Sequence, residues 1–171
     1  MGSTGSGSTT ARAALVRAPL LAAAAIVLAL ATTACGPPAD PLAPPEVVYG
    51  EDVCDHCGMI LSEERFAAAT IVEIDGRSEP RLFDDIGDMF AYHAANGDLV
   101  VQRWYVHDHD SVAWIDGATA HYVRAEGIRT PMGSGLAAFG DAERAAAFAT
   151  EVGGEALTFE ALVGAMRTHR P

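Results

Sequence analysis

The sequence predicts an α+β fold built from two related ββαβ halves packed together. Three observations predict it. Runs rich in Val, Ile, Tyr, Trp and Phe are separated by glycine-containing turn signals. Two helical stretches each open on aspartate and close at glycine, from Asp85 to Gly97 and from Asp141 to Gly153. The order strand, strand, helix, strand then recurs, with Gly58-Met59 ahead of the first unit and Met132-Gly133 inside the second.

In the first half, taken as 51–110, residues 66–74 read as a strand whose β-branched positions fall toward its end, and Asp75-Gly76 is the turn after it. A short strand over 80–83 leads to Asp84-Asp85, which can cap a helix over about 86–96. Residues 99–107 have the Val, Trp and Tyr content of a long strand. In the second half, 111–171, strands are expected at 120–124 and 136–139, then a helix capped by Asp141 and running to about Val152. Gly153-Gly154 breaks it, 155–159 forms a last strand, and 161–166 adds a helical turn or two.

Residues 1–34 read as an export signal rather than as part of the fold. Arg12 and Arg17 form a basic start, 13–31 is dominated by Leu, Ala, Val and Ile, and Thr32-Thr33-Ala34 precede Cys35. That order suggests lipoprotein processing, with Cys35 as the lipid-bearing residue; the alternative is an uncleaved anchor helix. Either leaves the remainder outside the cytoplasmic membrane. A linker over 35–50 follows, whose prolines favour an extended spacer rising about 3.1 Å per residue. The net charge of −12 makes nucleic acid a poor partner and excludes a polybasic grip on anionic lipid. Any hold on the membrane must come from the N-terminus.

The chemistry concentrates in Cys54-Asp55-His56-Cys57-Gly58-Met59, three sulfurs and an imidazole in six residues. The cysteine pair admits a chelate, a redox disulfide or a structural disulfide. A redox pair of the thioredoxin kind follows a strand and opens a helix, whereas this pair precedes the first strand. A bridge closing so small a loop constrains little of the unfolded chain. Structural zinc asks for four ligands, and no second cysteine pair exists. Cu(I) is satisfied by two or three soft donors and fits the inventory best. Met59 could fill a hydrophobic gap, as methionine commonly does, yet thioether sulfur also stays a ligand where thiols oxidise. Met132 lies in the glycine-rich Thr130-Pro131-Met132-Gly133-Ser134-Gly135, a composition that presents residues rather than burying them, whereas Met89 sits beside Phe90 on the first helix and reads as core. His56 could ligate or simply be exposed. His107 and His109 flank Asp108, either as a mixed metal site or as an acidic hairpin turn.

These motifs, with Phe83-Asp84-Asp85, Asp88-Met89-Phe90 and Trp114 to Ala120, resemble the NosL family over about 53–159. The resemblance implies a membrane-anchored lipoprotein that is not an enzyme. Such proteins act as copper chaperones for nitrous oxide reductase, handing Cu(I) to its maturing tetranuclear copper-sulfide centre alongside an ABC-type transporter complex. It also implies two homologous ββαβ halves, similar to a domain of organomercurial lyases, and carries the motif positions onto Cys54, Cys57, Met59 and Met132. Ligand exchange is then the expected chemistry, from an open site with few donors.

Overall fold

The structure is a computed structural model that describes Gly2 and residues 40–168, with side chains through Ala165. Apart from Gly2, the expected export signal over 1–34 lies outside the described residues, as does Cys35. The first half is organised around β1 (Ala68–Ile74), whose first five residues are all buried because partners flank it on both sides. It begins after a 3-10 turn at Glu64–Phe66, two residues later than the sequence suggests. Asp75 and Gly76, with φ of 51° and 74°, make the two-residue left-handed turn that matches strand twist. That turn sets the register from Ile74↔Arg77 to Ala68↔Phe83, so β2 (Arg77–Phe83) is three residues longer than expected. Pairing recruits Arg77, Ser78 and Glu79, which have little strand preference of their own. Pro80 is tolerated because β2 is an edge strand.

Helix α1 (Ile86–Ala95) starts where the sequence places it, because the Asp85 carboxylate accepts the Gly87 N–H at 2.7 Å. Its inner face buries Ile86, Met89 and Phe90. β3 (Val100–His107) returns along the other side of β1, with a bulge between Ile71 and Val72. A strand the sequence reading did not assign, β4 (Trp114–Asp116), pairs with β3 and completes the sheet order β2-β1-β3-β4. At three residues it carries no periodic signal of its own.

The second half repeats the plan with β5 (His121–Arg124), β6 (Leu136–Phe139), α2 (Ala142–Val152) and β7 (Glu155–Leu157). Its sheet order, β6-β5-β7, has the first strand of the unit in the centre, as β2-β1-β3 does. Asp141 caps α2 through the Arg144 N–H at 2.8 Å, and Gly153 ends it in the left-handed conformation. The last strand stops two residues short of 159. Thr158 Oγ1 accepts the Ala161 N–H at 3.2 Å, and Phe159 opens α3 (Phe159–Thr168) instead. Among the described residues no helix is long and apolar enough to cross a membrane.

The halves share a core in which Phe83, Ile86, Met89 and Phe90 of the first pack with Tyr122, Leu136 and Leu162 of the second. Polar links reinforce it: the His109 N–H donates to Ala138 O at 2.7 Å, and the Gly140 N–H to the Asp108 carboxylate at 2.9 Å. That carboxylate is held below its usual range, because N–H donors from Gly140, Ser111 and Asp110 outweigh the burial that raises it.

His93, on α1, gives the fold a pH dependence. Its ring stands edge-on to Trp104 at 4.7 Å and Nε2 faces Thr70 Oγ1 at 2.9 Å, while Nδ1 is buried without a partner among the described residues. Burial, aided by Arg81, lowers its pKa from 6.5 to about 4. The folded chain therefore refuses a proton that the unfolded chain accepts below pH 6.5. Stability is undiminished above that value and falls as pH drops toward 4. Discounted for the ring's part-open position, the loss by pH 5 is about 1 kcal/mol. Melting temperatures from pH 7.5 to 4.5 should fall less steeply in His93→Gln than in the unaltered protein.

Candidate metal centre

The cysteine loop is a tight turn held at both limbs. The Cys54 N–H donates to Met59 O at 2.8 Å, the Gly58 N–H to Cys54 O at 2.9 Å, and Val53 and Ile60 form an antiparallel bridge outside them. Gly58 has φ of 72°, a left-handed position that disfavours a side chain. Asp55 docks the loop on β2 through a reciprocal pair: its N–H donates to Leu82 O at 2.8 Å, and its carboxylate accepts the Leu82 N–H at 2.7 Å. Asp84, the next but one residue along the chain, holds the returning limb by accepting the Ser62 N–H at 2.6 Å. The loop is therefore fastened to the segment that leads from β2 into α1.

This places both thiols against the first turn of α1. Cys54 is 2% exposed, and its Sγ lies 3.5 Å from Asp88 Oδ2 and accepts the Cys57 N–H at 3.5 Å. Cys57 is half-buried, and both thiols are free. Among the described His, Cys, Asp and Glu side chains, Cys54, Cys57 and Asp88 form a group whose donor atoms all lie within 4.8 Å of one another. Burial pushes the Cys57 thiol up to about 12, with Cys54 and Asp88 adding to the rise against the Met59 backbone N–H. A bound metal must displace that proton, so loading releases acid.

Asp88 is the neighbour of the thiols that sequence reasoning missed. An acid in the first turn of a helix ordinarily serves the helix itself, and that reading hides it. Its signal was its place in a buried run, between the cap and the core pair Met89-Phe90.

The other expected residues divide. Met59 is 56% exposed at the end of the cysteine turn, and His56 is exposed within it. Met132 is 39% exposed on a loop fastened to the cap of α1, where the Met132 N–H donates to Asp85 Oδ2 at 3.1 Å. His107 does not join them. Its Nδ1 meets Val112 O at 2.8 Å, its Nε2 meets Tyr49 Oη at 3.1 Å, and its ring lies 3.7 Å from that of Trp114. Burial lowers its pKa, and both nitrogens are spoken for within the fold. His109 packs on Phe148 at 4.7 Å and takes part in the acidic hairpin with Asp110. The site thus offers two thiols and a carboxylate in one cluster, with exposed thioethers on the same loop and on a loop bound to the same helix end. Two thiols that lose their protons on binding, with an exposed thioether on the same loop, suit a soft metal ion better than a hard one.

Comparison with known proteins agrees with this chemistry. The NosL family model matches residues 45–166. The "Copper-binding lipoprotein NosL" of Stutzerimonas stutzeri is 29% identical over 147 residues, covering 80% of this chain and 76% of that protein. The crystal structure of the copper chaperone NosL from Shewanella denitrificans shares the fold, with a TM-score of 0.61 at 20% identity over 71% of this chain and 96% of that one. Neither relative is named as an enzyme. With well over half its length matched by the family model, the chain belongs to the NosL family.

Proposed function

We propose that this chain is a membrane-anchored, extracytoplasmic Cu(I) chaperone that delivers copper to nitrous oxide reductase through its ABC-type maturation complex. The observation that carries the reading is the pair of free thiols, Cys54 and Cys57, gathered beside Asp88, with an exposed Met59 on the same loop. Cys54 and Cys57 supply the thiolates, Met59 and Met132 the thioethers, and His56 is near enough in sequence to enter during transfer. His107 is outside the ligand set because its nitrogens hold the fold. Lipid on Cys35 and the proline-rich linker over 35–50 keep the domain at the membrane, where tethering raises its effective concentration near a partner. Support for copper comes from the relative of Stutzerimonas stutzeri, named as a copper-binding lipoprotein.

The geometry favours transfer over storage. Cys54 is enclosed while Cys57 and Met59 open progressively to solvent, so an incoming ligand can replace the outer donors first. Anaerobic titration against a Cu(I)-selective chelator should give one ion per chain, and the loaded protein should pass it to copper-free nitrous oxide reductase. No binding, or binding without transfer, would count against the reading. Asp88→Asn removes the carboxylate beside Cys54 while keeping its shape. It should weaken Cu(I) binding by about tenfold, as outer-shell changes at metal sites do. The same chelator competition reads it.

A further inference from the structure

Asp85 receives far more hydrogen bonds than a helix cap needs. It is fully enclosed, at 0% exposed. Its Oδ1 accepts the Gly87 N–H at 2.7 Å, which is the cap, and also the Ser134 hydroxyl. Its Oδ2 accepts the Thr130 hydroxyl at 2.5 Å, the Met132 N–H at 3.1 Å and the Ser134 N–H at 3.4 Å. One carboxylate of the first half thus gathers four donors from a single loop of the second. Thr130 and Ser134 tighten that loop further by accepting the Gly135 and Leu136 N–H groups at 3.3 and 3.2 Å. The close fit extends to Gly87, where a Cβ would collide with the Ser134 Cβ. Three residues beyond Asp85 on the same helix, Asp88 touches the Cys54 sulfur.

We propose that Asp85 is the positioning residue that brings the Met132 thioether to the cysteine pair, making the metal centre an assembly of both halves. This rests on the copper reading above and deepens it. The first turn of α1 acts as the spacer: Asp88 holds the thiols at one end, and Asp85 holds the Met132 backbone at the other. A carboxylate suits the task because it only accepts, with about four lone-pair sites to share among its donors. Burying it is costly unless those donors are all present, so the loop and the helix end form together.

Two variants disturb the loop by unrelated means. Asp85→Asn can keep the cap through its remaining oxygen, since Asn caps as well as Asp, but it turns an NH2 group toward Thr130, Met132 and Ser134. Gly87→Ala keeps the carboxylate and its cap donor and acts by sterics, its Cβ colliding with the Ser134 Cβ and standing 3.3 Å from Asp85 Oδ1, at a helical position where alanine is otherwise favoured. In X-ray absorption of the copper-loaded full chain, each variant should lose one sulfur scatterer relative to the unaltered protein. Each should bind Cu(I) about 10–100-fold more weakly, matching Met132→Ala. Adding Met132→Ala to either should lower affinity no further. Retention of the thioether in both variants, or losses that add to that of Met132→Ala, would overturn the proposal while leaving the cysteine site intact. Met132→Ala with unchanged coordination would overturn it too, and would remove Met132 from the copper reading. A chain that bound no copper through sulfur would instead defeat the copper reading itself. Should Asp85→Asn fail to fold, Gly87→Ala carries the test alone.

Discussion

Cys57→Ala should lower Cu(I) affinity by more than about 100-fold, beyond the loss expected from any outer-shell change. Cys57 is the half-open member of the pair, and its sulfur stands within 4.8 Å of Cys54 Sγ and an Asp88 oxygen. Without it the enclosed Cys54 keeps one anionic sulfur beside a hard carboxylate, a poor home for a soft ion. The fold should hardly notice. The turn is closed by the Cys54 N–H to Met59 O and the Gly58 N–H to Cys54 O, neither of which uses the Cys57 side chain, and the Cys57 N–H contact to Cys54 Sγ survives in alanine. Competition with a Cu(I) chelator and a thermal melt on the same preparation separate the two effects. Cys54→Ala should weaken copper as severely, but it also removes a sulfur from the shared core.

Phe83→Ala should do the reverse. Phe83 is 0% exposed, pairs with Ala68 at the end of β2, and packs its ring on Tyr92 at 5.3 Å and His93 at 6.0 Å. Its cavity would open among Leu61, Ile86, Met89 and Val106, in a core already fixed by two sheets, so little collapse can fill it. The expected cost is about 3–5 kcal/mol, the range for truncating a buried aromatic. Urea unfolding should show the midpoint falling with little change in slope. Below the midpoint the variant should still bind one Cu(I), because the cysteine loop is fastened through the Leu82 backbone and the Asp84 carboxylate rather than through the ring. A loss under 1 kcal/mol would mean that the two sheets do not share one core.

Local signals located much of this fold in the sequence. Asp85, Asp141 and Gly153 marked helix ends because capping is decided by neighbours a few residues away. The repeated order of elements was legible for the same reason, and both sheets place the first strand of their unit in the centre. Features decided by distant partners were not. β4 exists because β3 offers it an edge, and the first residues of β2 are strand because the Asp75-Gly76 turn lays them against β1. Thr158 turned an expected strand end into a helix start with a single side-chain bond.

The site divides along the same line. The sulfurs of one loop, Cys54, Cys57 and Met59, stand out by spacing alone, and the two thiols do come together in the structure. Asp88 reads as an ordinary first-turn acid until the fold sets it against Cys54. His107 reads as a ligand until Tyr49, 58 positions earlier, takes its Nε2. Asp85 looked like a cap and is one, but its bonds to the Met132 loop span nearly fifty residues, beyond the reach of any local pattern.

X-ray absorption at the copper edge on the anaerobically loaded chain asks the deciding question. Two or more sulfur neighbours around a monovalent ion, falling by one in Cys57→Ala, are what these thiols and thioethers require. A first shell of nitrogen and oxygen alone would contradict them.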